Sequence, residues 1–198
     1  MKPYFEINHL AGTLLLTATM AWGMMELSQR SANMEGRQEA TKVGGAGSRL
    51  AMLASLIATT IAVNVAPHVF PAATIRPGPV AFTVGLAILL AGLALRGWSF
   101  KALGQYFTHN VMVSSDQPVI TVGPYRLLRH PSYTAVLLIG IGVGLASANW
   151  ACLAAVTLLI LTPLLWRIHI EENALLTTLG DRYRAYAAHH KRLVPLIW

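Results

Sequence analysis

From Thr134 to Trp166 the chain reads TAVLLIGIGVGLASANWACLAAVTLLILTPLLW, without one charged residue. A helix needs roughly 20 mostly apolar residues to cross the hydrocarbon core of a bilayer, and about 17 can suffice. The pair Ala148-Asn149 divides this run into two candidate spans, Thr134 to Ala148 and Trp150 to Trp166. So short a connection predicts a tight antiparallel helical hairpin. Pro163 falls inside the second span, where bundle neighbours can accommodate the kink it introduces.

Outward from the hairpin the pattern repeats. Val80 to Leu95 forms a third apolar run, opening after Pro77-Gly78-Pro79 and closing at Arg96. Leu50 to Val69 is another, preceded by Ser48 and glycines that mark a loop ending in a helix cap. His9 to Met25 is the first, again uncharged. Lys2 would suit the basic start of a signal peptide, but no clear small-x-small cleavage site follows and the chain returns to the membrane repeatedly. Of 198 residues, 55% are hydrophobic and 12% charged, with a mean hydropathy of +0.53. Soluble domains carry about 25% charged residues, so half the usual polar surface is missing. The composition is that of a polytopic α-helical membrane protein.

Charge gives an orientation. With five spans, 13 of the 15 Lys and Arg residues fall on one side, leaving Lys2 and Arg76 on the other. The positive-inside rule then places the N-terminus outside and the C-terminus in the cytoplasm. The net charge of +7 sits in short clusters between apolar runs, a pattern that suits anionic lipid headgroups and not nucleic acid. The single cysteine, Cys152, excludes an internal disulfide and reads as a small buried hydrophobe. No Cys/His spacing suits zinc, no metal is expected, and His189-His190 reads as a solvated tail. The loop from Ser28 to Ser48 is mixed in charge and carries no assignable motif.

Polar residues gather in two places. Gly97 to Arg129 is too long for an ordinary connector and holds Gly104, Tyr106, His109, Asn110, Asp116, Gln117, Gly123, Pro124 and Tyr125. It runs into Arg129-His130-Pro131-Ser132-Tyr133, where Pro131 suits a helix start. Beyond the hairpin comes Arg167-Ile168-His169-Ile170-Glu171-Glu172, with Arg167 and Glu171 four apart on one helical face. Read blandly, they form an ion pair of under about 1 kcal/mol and Arg129 and His130 anchor headgroups. A hairpin, however, returns Arg167 and Glu171 to the level of Arg129, His130 and Tyr133. Charged groups facing a bundle interior at a membrane boundary are a functional-site hypothesis by default.

These clusters, in this order, resemble the isoprenylcysteine carboxyl methyltransferase family. The residues that carry the resemblance are Val119-Ile120-Thr121-Val122-Gly123-Pro124-Tyr125, Arg129-His130-Pro131-Ser132-Tyr133, Glu171-Glu172 and Gly180-Asp181-Arg182-Tyr183-Arg184-Ala185-Tyr186. The match covers about the C-terminal half, and the chain looks like a prokaryotic member. The resemblance implies an all-α integral membrane fold of five transmembrane helices, with a cytoplasmic loop and C-terminal helix forming a cofactor pocket. Residues 1–96 would be a three-span scaffold and 97–198 the catalytic half of a single domain. It implies S-adenosyl-L-methionine as methyl donor, S-adenosyl-L-homocysteine as product and a prenylated cysteine's α-carboxylate as acceptor. Carried over, the cofactor pocket comprises Gln117, Pro118, Val119, Ile120, Tyr125, His130, Pro131, Ser132 and Tyr133, with Val113 beside it and Glu171 on the cofactor's amino group. Arg167 matches the arginine expected to hold the substrate carboxylate. The chain is expected to act as a monomer among membrane lipids, taking its substrate from lipid. Three departures stand out: no extra N-terminal spans of the eukaryotic kind, Ala135 where a glycine often follows the tyrosine, and His169-Ile170 in place of part of an acidic run. The first and third bear on the acceptor more than on the cofactor.

Elementary chemistry is consistent with that reading. An α-carboxyl group has a reference pKa near ~3.5, so at neutral pH it is already an anionic nucleophile and needs no general base. In-line positioning can supply about 7–11 kcal/mol of barrier reduction. A phospholipid or other lipid-amine acceptor would want a base, either His130 or His169, and gains nothing from an adjacent arginine. A nicotinamide-dependent membrane reductase would want a Gly-x-Gly-x-x-Gly, which is not apparent. A non-enzymatic scaffold or transporter component would use Arg167 and Glu171 only as a salt bridge.

Overall fold

The computed structural model describes residues 3–32, 41–42, 46–106, 112–113 and 117–195. Of the residues singled out above, Lys2, His109, Asn110 and Asp116 lie outside the described residues, as do the side chains of Ser48 and Val113. Among the described residues seven α-helices follow in order: α1 (Tyr4–Ile7), α2 (His9–Ala32), α3 (Ala46–Val69), α4 (Gly78–Leu103), α5 (Pro131–Ala146), α6 (Trp150–Leu179) and α7 (Asp181–His189). Four of them carry stretches long and apolar enough to cross a membrane: His9–Ser28, Leu50–Val69, Gly78–Leu103 and Trp150–Leu179. The remaining expected span, Thr134 to Ala148, falls on α5, a shorter apolar helix. Leu10, Leu16, Ile57, Ile61 and Leu158 point outward and exposed. Such a surface would be an aggregation liability in water and costs nothing against lipid tails.

The helices overrun the apolar runs that predict them. α4 continues past Leu95 to Leu103, and α6 past Trp166 to Leu179. Apolarity ends where the chain leaves hydrocarbon, whereas a helix ends where a cap stops it. Gly104 (φ +51°) and Gly180 (φ +56°) are those caps, each sending its N–H back four residues, to Phe100 and Leu176. At a rise of 1.5 Å per residue, the 30 residues of α6 span about 45 Å, against about 30 Å of hydrocarbon. The helix is therefore longer than the hydrocarbon core is thick, and carries Arg167, Glu171 and Glu172 on a continuation of its apolar segment.

α5 is the centre of the fold and packs between α4 and α6. Against α4 the backbones approach closely. A Cβ on Gly142 would sit 2.5 Å from Leu89 N and 2.7 Å from Gly85 O, and one on Gly92 would sit 3.0 Å from Ala135 O. Small residues at a helix interface gain dispersion contact where no hydrophobic drive exists. Ala135, one of the departures from the family pattern, is fully buried at this contact. The α5–α6 turn is as tight as expected. Ala148 takes a left-handed φ of +52°, and the Asn149 side chain accepts from Cys152 N (3.0 Å) while donating to Phe70 O (2.9 Å). Cys152 is fully buried.

One feature departs from an all-helical chain. Thr41 and Lys42 pair antiparallel with Val113 and Met112, so two extended segments satisfy each other's backbone groups. The 28–48 loop is thereby tied to the long loop after α4. Close α4–α5 packing predicts that Gly142→Ala destabilises the protein by about 2 kcal/mol through overpacking against backbone. Gly97→Ala meets only Met25 Sδ, at 3.8 Å, and should be neutral or stabilising. Thermal midpoints in detergent compare the two.

Candidate active site

The first turn of α5 and the outer half of α6 meet because the hairpin brings them to one level. Tyr133, in that first turn, reaches across to α6. Its hydroxyl donates to Glu171 Oε2 (2.6 Å) and accepts from Arg167 Nε (2.8 Å). A phenol can do both at once, so it bridges the cation and the anion that helical spacing places on one face. The sequence pattern allowed a simple Arg167–Glu171 pair; in the fold the Tyr133 hydroxyl stands between them.

Glu172, one residue on and about 100° around the helix, faces the other way and is buried. Its carboxylate takes Arg129 Nη1 (2.9 Å), His130 Nε2 (3.1 Å) and Arg192 through both Nε and Nη2 (2.9 Å each). The partners come from two parts of the chain: the adjacent Arg129 and His130 just before α5, and Arg192 in the C-terminal segment. Against a carboxylate, His130 Nε2 must carry the proton. Burial of such a carboxylate is tolerable only because its oxygens are saturated with charge-assisted bonds.

The C-terminal segment forms a strap. Arg129 N donates to Lys191 O (2.7 Å), His130 N to Arg192 O (3.1 Å), and Thr134 Oγ1 to Leu193 O (2.7 Å). On α7, Tyr183 and Tyr186 are three apart and share one face, packed with Ala174 and Leu179 of α6 and against Val119. The Tyr186 hydroxyl donates to the backbone oxygens of Tyr125 (2.7 Å) and Leu128 (3.1 Å). Burial pushes the phenols of Tyr125, Tyr183 and Tyr186 up from their ordinary value. They are therefore neutral donors at physiological pH.

Between loop, α5, α6 and α7 lies an open cleft of about 830 Å³. Gln117, Pro118, Val119, Ile120, Tyr125, His130, Ser132, Tyr133 and Glu171 line it, although they come from three separate segments. Two predicted residues stand back from it: Pro131 is buried in the first turn of α5, and Arg167 connects through Tyr133. Sequence reasoning gave no site role to Glu172, Tyr183 or Arg192. The i, i+3 tyrosines of α7 were a readable signal for one buried face. Nothing in the sequence placed Arg192 on Glu172, since that contact depends on the path of the strap.

The same residues carry a likeness to known proteins. The isoprenylcysteine carboxyl methyltransferase family matches residues 84–177, just under half of the chain. Among its relatives, a protein-S-isoprenylcysteine O-methyltransferase of Tribolium castaneum is 34% identical over 116 residues, 58% of this chain and 41% of that one. A probable protein-S-isoprenylcysteine O-methyltransferase of Oryza sativa subsp. indica is 31% identical over 58% of this chain and 61% of its own length. A solved structure of a eukaryotic intramembrane Ras methyltransferase, an isoprenylcysteine carboxyl methyltransferase, superposes with a TM-score of 0.59 at 29% identity, over 76% of this chain and 53% of that one. The chain spans about half the length of the relatives it matches. The matched stretch contains the first turn of α5 together with Arg167, Glu171 and Glu172, while α7 and the strap follow it.

Because Glu172 is the carboxylate shared by Arg129, His130 and Arg192, Glu172→Gln should cost about 3 kcal/mol of stability, the usual result of breaking a buried ion pair from one side. Glu171→Gln, on the half-buried cleft side, should cost less. Thermal unfolding of both variants in one detergent measures the difference.

Proposed function

We propose that this protein is an integral membrane methyltransferase that transfers the methyl group of S-adenosyl-L-methionine to the α-carboxylate of a prenylated cysteine. The observation that carries the reading is the bridge Arg167–Tyr133–Glu171 at the cleft wall: one cation and one anion held by a single hydroxyl. The cleft suits a polar cofactor with a cationic amino group. Glu171 presents a carboxylate to it, and Gln117 to Ile120 form an opposing wall. Arg129 Nε and the Tyr183 hydroxyl, both on cleft-lining residues, are buried without a hydrogen-bond partner among the described residues. Orphaned donors of this kind favour a polar occupant. The bound cofactor would supply an electrophilic methyl group; the chain supplies position and charge.

Arg167 is the substrate-carboxylate residue in this reading. Its Nε donates to Tyr133, and a planar guanidinium can grip a carboxylate through two N–H groups, a bidentate geometry that lysine cannot reproduce. Arg167 lies one helical turn, about 6 Å, nearer the membrane segment of α6 than Glu171 does. Trp98 and Trp166, both exposed, suit the interfacial aromatic level at that depth. A lipid-borne acceptor would thus meet Arg167 from the bilayer side, and a soluble cofactor would meet Glu171 from the aqueous side. With the charge bias described above, that aqueous side is the cytoplasm and the N-terminus is outside.

No general base is required, and the histidines agree. His130 Nε2 is committed to Glu172, and His169 is exposed and hydrogen-bonded to Asn173 (3.0 Å). Neither is placed to deprotonate an amine in the cleft, which favours a carboxylate acceptor over a lipid amine.

Titration of S-adenosyl-L-methionine into the purified protein, followed by labelled cofactor with farnesylated N-acetylcysteine, tests the reading. Binding and a base-labile methyl ester are expected. Absence of binding overturns it, and binding without ester removes the prenylcysteine acceptor. Arg167→Ala should abolish transfer while sparing cofactor affinity. Glu171→Ala should weaken the cofactor about 10- to 100-fold, the loss of one charged hydrogen bond. Normal methylation by both variants would refute the assignment of roles.

A further inference from the structure

Arg96 lies near the end of α4, 7% exposed, with its guanidinium extended between two other helices. Towards α2, Nε donates to Glu26 Oε1 (2.8 Å) and Nη2 to Glu26 Oε2 (3.1 Å), a parallel two-bond pairing. Towards α5, Nη1 donates to the carbonyl oxygen of Ser132 (3.0 Å) and to the Ser132 hydroxyl. The Phe100 ring lies 4.6 Å from the guanidinium carbon, and Trp22 Nε1 donates to Glu26 Oε1 (3.0 Å). All three nitrogens of the fork are therefore in use, and an aromatic ring lies against it.

An ion pair serving only to join α2 to α4 would not need the second half of the fork. Here that half holds Ser132, which lines the cleft between His130 and Tyr133. Charged groups within span-forming helices are costly, and apolar replacements of buried pairs are often as stable. We infer that Glu26 and Arg96 are positioning residues for the cofactor side of the site. Glu26 fixes the plane of Arg96, and Arg96 fixes the rotation of the first turn of α5, so that His130 and Tyr133 address Glu172 and Glu171 together. Glu26 lies outside residues 84–177, so an early helix completes a site that the family match confines to the later ones. This inference rests on the methyltransferase reading for its functional consequence, though not for its structural one.

Two readouts on the full-length protein in detergent separate the possibilities. In Glu26→Gln, amide hydrogen exchange across residues 130–134 should accelerate about tenfold, a local loosening that leaves other helices protected. Affinity for S-adenosyl-L-methionine should fall by about the same factor, and Arg96→Lys should behave likewise because a point charge cannot hold both neighbours. Ser55→Ala supplies the structural control. It removes a link of α3 to α6, Ser55 Oγ to Leu159 O (2.6 Å), remote from the cleft. It should lower the thermal midpoint without changing cofactor affinity or exchange at 130–134. Unchanged exchange at 130–134 in Glu26→Gln, with a lowered midpoint like that of Ser55→Ala, overturns the inference. Should the unmodified protein fail to bind cofactor, the methyltransferase reading falls, while the exchange measurement still decides whether Glu26 positions α5.

Discussion

A single buried carboxylate organises the working end of this molecule. Glu172 sits on the outer half of α6 and receives Arg129, His130 and Arg192. Those partners arrive from two segments far apart in sequence, Arg129 and His130 at the start of α5 and Arg192 in the C-terminal strap. A buried anion left with too few donors costs several kcal/mol, so the donors converge or the region does not assemble. Once they have converged, His130 is fixed and Tyr133 is directed at Arg167 and Glu171. The opposite face of the same helical turn then opens on the cleft.

The bilayer imposes the second constraint. Without water to satisfy backbone groups, spanning segments must be helical, and without a hydrophobic drive between them they must fit closely. Gly85, Gly92 and Gly142 supply that fit by letting α4 and α5 approach to backbone distance. Short α5 is thereby held against long α6, and the difference in length creates the site. One helix begins where the other is only partway along, leaving the side of α6 beyond the membrane for α7 and the strap to cover.

Charge is placed with the same economy. Arg96 and Arg167 are both buried arginines on apolar helices, and each has its guanidinium on the start of α5, one through Ser132 and the other through Tyr133. The planar fork lets Arg96 bind two partners in fixed directions, which a lysine could not. The first turn of α5 is consequently held from α4 on one side and from α6 on the other.

Much of this was legible before any coordinates. A run of uncharged residues long enough for two spans, broken only by Ala148-Asn149, permits nothing but a hairpin, because hydrocarbon excludes other conformations. The spacing of Arg167 and Glu171 placed them on one helical face, and the hairpin returned them to the level of His130 and Tyr133. Helix ends were less legible, since hydropathy reports where lipid stops and not where a glycine cap ends the backbone ladder. Hidden altogether were the partners of Glu172 and Arg96. Arg192 and Glu26 look like ordinary charges near helix ends, and only the paths of the strap and of α2 bring them to their counterparts. Local periodicity follows from the chain's own geometry and can be read from neighbours in sequence. Which charge meets which across the bundle depends on packing between distant segments, and that was decided only in three dimensions.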